Sequence, residues 1–368
     1  MYRNKGVPLE LKPIRPFMVF ILLSIIMIPF QDGMPISTAL NYVRIAFFKV
    51  IVVPFLFYEV MKQEPSSIKV FRNIMMVCIA VAAIYGLFLI TLDGLNPYMI
   101  SIMSLNDQTY NLDYALATGE GRLFGRISSV FTHPMAFGFF LVLSFLFLYK
   151  HRNNIKPYIF VFLFVIVILN VIFCGVRSAV GTVGVSIIYY LVVGRKYKLA
   201  FVVTIGFFVL PLLIDNIPGL SNYLGSIVDF EQKQTYIGGS NWETRYEQWQ
   251  GCFDIIKANP LTGNGFEWTQ YYYSENGNHP VLLAFESLIF VILCDSGFVG
   301  FIIWFIFLVQ LFSVSRSVLD KECSLLIKCL IVAYIFYSCL TGCGITGNMS
   351  IFAIFFILLV SERQNIVK

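Results

Sequence analysis

Apolar runs separated by short polar connections set the pattern of the chain, at about residues 17–30, 43–58, 74–92, 130–149, 158–174, 178–194, 199–215, 298–314, 325–341 and 349–361. At 1.5 Å per residue, a helical run of about 20 residues crosses a hydrocarbon core of about 30 Å. The pattern predicts an all-α, polytopic integral membrane protein with about ten transmembrane helices, forming a single membrane domain over residues 1–368. Heptad periods, sequence repeats and low-complexity tracts are absent. The first run follows Lys12 and Arg15 and ends in Pro29-Phe30-Gln31-Asp32 without a small-residue cleavage site, so it reads as an uncleaved span.

Two connections are long and polar. Residues 93–129 form a first outer loop and residues 216–297 a large one, and loops of this length usually carry function. Ser240 with Glu243 reads as a capping box that opens an amphipathic helix over 241–258, and Asn259-Pro260 closes it. The apolar segment that follows His279-Pro280 carries Glu286 in its middle. We read it as an outer-leaflet helix over 281–294, breaking at Asp295-Ser296-Gly297, which would put His279 and Glu286 on one helical face.

Composition agrees with a lipid setting. The 368 residues are 58% hydrophobic and 13% charged, against about 45–50% and about 25% in soluble domains, and the mean hydropathy is +0.78. With the N-terminus in the cytoplasm, the connections assigned to that side hold 18 of the 26 lysines and arginines, and an even number of spans returns the C-terminus there. The net charge of +5 is therefore a topology signal, and no basic, aromatic-laced stretch points to nucleic acid. The eight cysteines lack metal-site spacing and read as buried small hydrophobes. Nucleotide-binding loops, zinc-protease motifs and nucleophile elbows are also missing.

The outer face is poor in basic residues, so its arginines carry the chemistry. Arg177 lies in the turn of a tight hairpin at Gly175-Val176-Arg177, Arg126 lies just ahead of the fourth span, and Arg245 lies on the amphipathic helix. No carboxylate stands at i±3 or i±4 of Arg245. Three guanidinium groups at span ends suit an anion, and their planar forks suit phosphate better than lysine would. His133 and His279, each followed by proline, are read at helix starts, whereas His151 in a basic connection is read as solvated. An ionisable group within an apolar run is a functional candidate, and Glu286 is that group here.

Four stretches carry a family resemblance: GRISSVFTHPMAFG (125–138), CGVRSAVG (174–181), TRYEQWQGCFDIIKANPLTGNGF (244–266) and ESLIFVILCDSGFVG (286–300). Their order resembles the O-antigen ligase and repeat-unit polymerase superfamily of bacterial membrane glycosyltransferases. The resemblance implies transfer of a glycan from an isoprenoid diphosphate carrier to an acceptor sugar, on the outer face of the cytoplasmic membrane, without metal or other cofactor. It assigns Arg126, Arg177 and Arg245, with His133, to substrate binding, and the catalytic base to Glu286 or His279. Relatives often carry a histidine in the register of Glu286, and Met135 stands where many have asparagine. Partners implied are the lipid-linked oligosaccharide, an acceptor glycan, membrane lipid and other polysaccharide-assembly proteins. A polymerase is the leading reading; a ligase, or in another class a transporter of lipid-linked sugar, are the alternatives.

Overall fold

The computed structural model describes residues 12–30, 33–105, 126–213, 242–283, 285–318, 320–341 and 345–361. The Ser240–Glu243 capping box falls partly outside the described residues and side chains. The described residues are helical with no strand among them; one isolated backbone bridge joins His279 and Leu283. The helices are α1 (Ile14–Met27), α2 (Ile36–Ala46), α3 (Val53–Gln63), α4 (Ser66–Thr91), α5 (Pro97–Leu105), α6 (Pro134–Lys150), α7 (Pro157–Phe173), α8 (Arg177–Val193), α9 (Tyr197–Leu213), α10 (Trp242–Ile256), α11 (Trp268–Asn276), α12 (Leu288–Arg316), α13 (Lys321–Leu340) and α14 (Ile345–Ser361).

A helix stands at each of the ten expected span positions. Three of them, α4, α12 and α13, are long and apolar enough to cross a membrane by length and composition, and shorter apolar helices accompany them. Large apolar side chains face outward along these helices, for example Val77, Val81, Ile84 and Phe88 on α4 and Ile302, Phe305, Ile306 and Val309 on α12. Stripes of that size fit contact with lipid chains, not water.

Contacts divide the chain into two compact units, Met1–Phe71 with Glu247–Lys368, and Arg72–Tyr246. In the second, α6 is the centre. Every residue from Phe137 to Leu148 is buried, as a helix apolar on all sides requires. It packs on α7 and α8, with prolines at the first positions of α6 and α7, where a missing N–H costs nothing. Asn170 of α7 donates to the Ala83 carbonyl of α4 at 2.9 Å, satisfying a buried amide.

In the other unit, α1 packs on α2 and α12, and α14 packs on α3, α12 and α13. Edge-on rings join α1 to α12 (Phe17 and Phe307, 5.3 Å). Between α2 and α3 the backbone forms a π-helical segment, Phe47–Val52, so the two helices and the segment are one continuous rod carrying an extra residue. Lys49 lies on that segment, exposed.

Several expectations need correction. Residues 281–283 and 285–287 are not helical; α12 starts at Leu288, so His279 and Glu286 do not share a helical face. His151 is fully buried, its ring edge-on to Phe147 at 4.4 Å, and not solvated. Burial, then the charges of Arg72 and Lys150, hold its pKa down at about 3. The connection over 93–129 contains α5, and that over 216–297 contains α11.

Candidate functional site

One end of the α6–α8 bundle gathers three of the sequence candidates. Helices joined by short turns and packed together run antiparallel, as α6 with α7 and α7 with α8 do, so α6 and α8 point the same way. Their N-termini therefore lie at one end, each presenting the positive pole of a helix dipole. Arg177 is the first residue of α8, half-buried, behind Val176, which offers no side-chain cap. Ser178 follows, and its buried Oγ has no hydrogen-bond partner among the described residues.

The N-terminus of α6 is built differently. His133 caps it, its Nδ1 accepting from the Met135 N–H at 3.1 Å, which places the neutral imidazole's proton on Nε2. Burial first, and the nearby Arg126 charge second, lower the His133 pKa to about 4. The imidazole is thus a neutral donor beside a guanidinium. Arg126 itself is half-buried, and the segment from it to His133 is pinned by a residue that our sequence reading passed over. Asn96, fully buried, donates to Ser128 Oγ (2.9 Å) and the Ser129 carbonyl (2.7 Å) while accepting from Tyr85 Oη (3.0 Å) and the Met99 N–H (3.1 Å). Ser129 Oγ adds a bond to the Ala82 carbonyl at 2.6 Å. The signal was present: Asn96-Pro97 is a helix cap followed by a first-position proline.

The other unit holds the two candidates for the base. Gly297, with φ 59° and ψ −159°, breaks α12 into two segments. Such a break strands carbonyls on one side and N–H groups on the other, and the loop 260–265 satisfies both. Its Pro260 and Leu261 carbonyls accept from the Phe298 and Val299 N–H groups (2.9 and 3.1 Å), and its Asn264 and Gly265 N–H groups donate to the Cys294 and Asp295 carbonyls (both 2.9 Å). A Cβ at Gly297 would lie 2.5 Å from the Leu261 carbonyl carbon, and one at Gly263 would lie 2.5 Å from Asp295, so the two backbones touch. Asp295, fully buried, also caps α11 by accepting from the Thr269 N–H at 2.7 Å. The NPLTGNG and CDSG stretches, which look separate in sequence, are thus two halves of one structure.

Ahead of α12 the chain makes a compact turn. His279 Nδ1 accepts from the N–H groups of Val281 and Leu282, both at 3.1 Å, and its own backbone pairs twice with Leu283 at 2.9 Å. Leu283 and Phe285 both have φ of 53°, an uncommon conformation for such residues, which turns Leu282 and Phe285 into the interior. The Phe285 ring meets Trp268, Tyr272 and His279 at 5.8–6.1 Å. That burial is why the helix starts late: Ser287 caps it instead, accepting from the Ile289 N–H at 3.3 Å, and leaves Glu286 half-buried just outside the N-terminus. Burial lowers the His279 pKa. With Nδ1 occupied, this ring can take up a proton only by giving up the bonds that shape the turn.

The third arginine candidate, Arg245, lies half-buried in the first turn of α10. Farther along, α10 packs on α12 through Trp249 and Phe290, edge-on at 5.1 Å.

Comparison with known families places these elements. A family model described as O-antigen ligase matches residues 162–305, a stretch that runs from α7 into α12 and contains Arg177, Arg245, His279 and Glu286. No curated protein matches the chain.

Proposed function

We propose that this chain, in which a family model described as O-antigen ligase matches residues 162–305, is a membrane glycosyltransferase of the ligase and polymerase superfamily, acting as a repeat-unit polymerase on the outer face of the cytoplasmic membrane. Its donor is an oligosaccharide on an isoprenoid diphosphate, and its acceptor is a sugar hydroxyl of a second glycan. The ten apolar helices are its spans, with both termini in the cytoplasm. The chemistry needs no metal in this reading, because guanidinium groups neutralise the leaving diphosphate.

The observation that carries the proposal is the N-terminus of α8. Arg177 is the first residue of that helix, and its guanidinium stands beside the N–H groups that open it. A buried hydroxyl left unbonded costs about 1–3 kcal/mol, and Ser178 provides one. That cost reverses when an anion binds, since the hydroxyl, the helix N–H groups and the guanidinium can then act on one phosphate. Arg126 and His133 lie at the same end of the bundle and are assigned to the second phosphate or the adjoining sugar. Arg245 is assigned to the same donor by its place on the outer-loop helix.

Glu286 is our base. The acceptor hydroxyl gives its proton to the Glu286 carboxylate as its oxygen attacks the anomeric carbon, and the bond from that carbon to the diphosphate oxygen breaks. The electron pair leaves with the lipid diphosphate. His279, tied into its turn through Nδ1, positions the segment that carries Glu286. Purified protein incubated with a lipid-diphosphate oligosaccharide tests the reading: a ladder of products one repeat apart is expected. A single transfer to an unrelated acceptor would convert the assignment to a ligase, and no product with any acceptor would remove it.

A further inference from the structure

Two cysteines that the proposed reaction leaves unused lie against one another. Cys252 of α10 and Cys294 of the first α12 segment are both fully buried, and their sulfurs are 3.7 Å apart. The helices are in register around them: Trp249 meets Phe290 one turn earlier on each. Gly251, whose Cβ would stand 2.6 Å from Val281 Cγ1, keeps α10 close to the turn ahead of α12. We propose that Cys252 and Cys294 are the site of a disulfide that joins α10 to the first segment of α12.

The sulfurs need to close by about 1.7 Å to reach a bonded separation of about 2.05 Å, within the reach of side-chain rotation. In the bond-forming step both thiols lose their protons and a sulfur–sulfur bond forms. The two electrons pass to the disulfide of a Cys-x-x-Cys thiol oxidase, which leaves as the dithiol. Such oxidants act outside the cytoplasm, where our topology places this end of the protein. Because both sulfurs are buried once folded, the exchange belongs to the folding stage, before α10 settles on α12. The closed loop runs through residues 253–293 and contains loop 260–265, α11, the His279 turn and Glu286, so the bond fixes the ends of the segment on which the candidate base depends.

The test reads bonds, not activity, and so stands apart from the fate of the polymerase reading. Cells making the full-length protein are lysed directly into detergent denaturant with N-ethylmaleimide, then reduced, and freed thiols are labelled with a polyethylene-glycol maleimide. Two of the eight cysteines are expected to gain the second label. A cross-linked peptide pair containing Cys252 and Cys294 should appear in the unreduced digest, 2 Da lighter than the sum of the two thiol peptides. The Cys252→Ser and Cys294→Ser variants should lose both labels, whereas Cys78→Ser should keep them. Complete first-step alkylation of all eight cysteines in the wild type, or labels that survive in the Cys252→Ser variant, overturns the proposal.

Discussion

Alanine at Gly297 tests whether the broken helix is held open by the loop packed into it. The native residue sits at φ 59° and ψ −159°, a region that costs a non-glycine residue about 1–3 kcal/mol. The new methyl group would also press within 2.6 Å of the Leu261 and Pro260 carbonyl oxygens, which are backbone atoms. Relief requires the loop to withdraw, giving up its bonds to the Phe298 and Val299 N–H groups, each worth about 1 kcal/mol. The total is about 3–5 kcal/mol. Gly206→Ala is the control, since a Cβ there meets nothing within 4 Å, and its effect should stay under about 1 kcal/mol. Unfolding of purified protein in mixed micelles, titrated with denaturing detergent, gives both values. A Gly297→Ala midpoint indistinguishable from that of Gly206→Ala would refute the account of the loop as the partner of the break.

Other outcomes follow from the same geometry. Arg177→Ala should abolish chain extension at unchanged membrane levels, and Arg177→Lys should restore only part of it because a point charge replaces a fork; full activity in the alanine variant would end the anion-site proposal. Glu286→Gln should stop transfer while the lipid donor still binds, whereas His279→Asn, whose side-chain oxygen can accept the turn's N–H bonds, should retain most of the rate; the reverse result would exchange their roles. Asn96→Ala removes four hydrogen bonds and should lower stability by about 2–4 kcal/mol, read as the detergent midpoint. His133 titrates at about 4 when folded and at about 6.5 when unfolded, so between those values the unfolded chain binds the extra proton. Its contribution to stability is complete above pH 6.5 and falls towards pH 4 by up to about 1.4 kcal/mol per pH unit. His133→Asn, which can keep the cap but not the titration, should show a shallower loss over that window.

The apolar runs and the prolines that open α6 and α7 were readable because both act within a turn or two of themselves. The same holds for the break at Gly297 and for the hairpin at Arg177. What escaped the sequence depends on pairs far apart in the chain. The Asn96 hub joins residues 32 and 33 positions away, and the loop 260–265 meets a helix break about 35 residues on; neither stretch signals its partner. The late start of α12 escaped for another reason. Hydropathy favours a helix through Leu282 and Phe285, but burying the Phe285 ring against α11 and Leu282 in the interior goes with left-handed residues at 283 and 285, a tertiary gain that local preference does not record. Among the candidates, the grouping of Arg126, His133 and Arg177 could be anticipated from span polarity alone. The part played by Ser178 needed its burial to be seen.

The π-helical segment between α2 and α3 has a consequence for how length variation would act on this protein. One extra residue is stored in Phe47–Val52, so deleting a single position there would let the rod regain regular α-helical bonding without a gap. The helix beyond would keep its facing, because the wider turns of the segment already absorb the rotation of about 100° that one added residue would cause, so Tyr58 and Met61 would stay in the interior. A one-residue deletion in this short stretch would thus be tolerated, whereas the same deletion in α3 ahead of Tyr58 would turn Tyr58 and Met61 out of the interior.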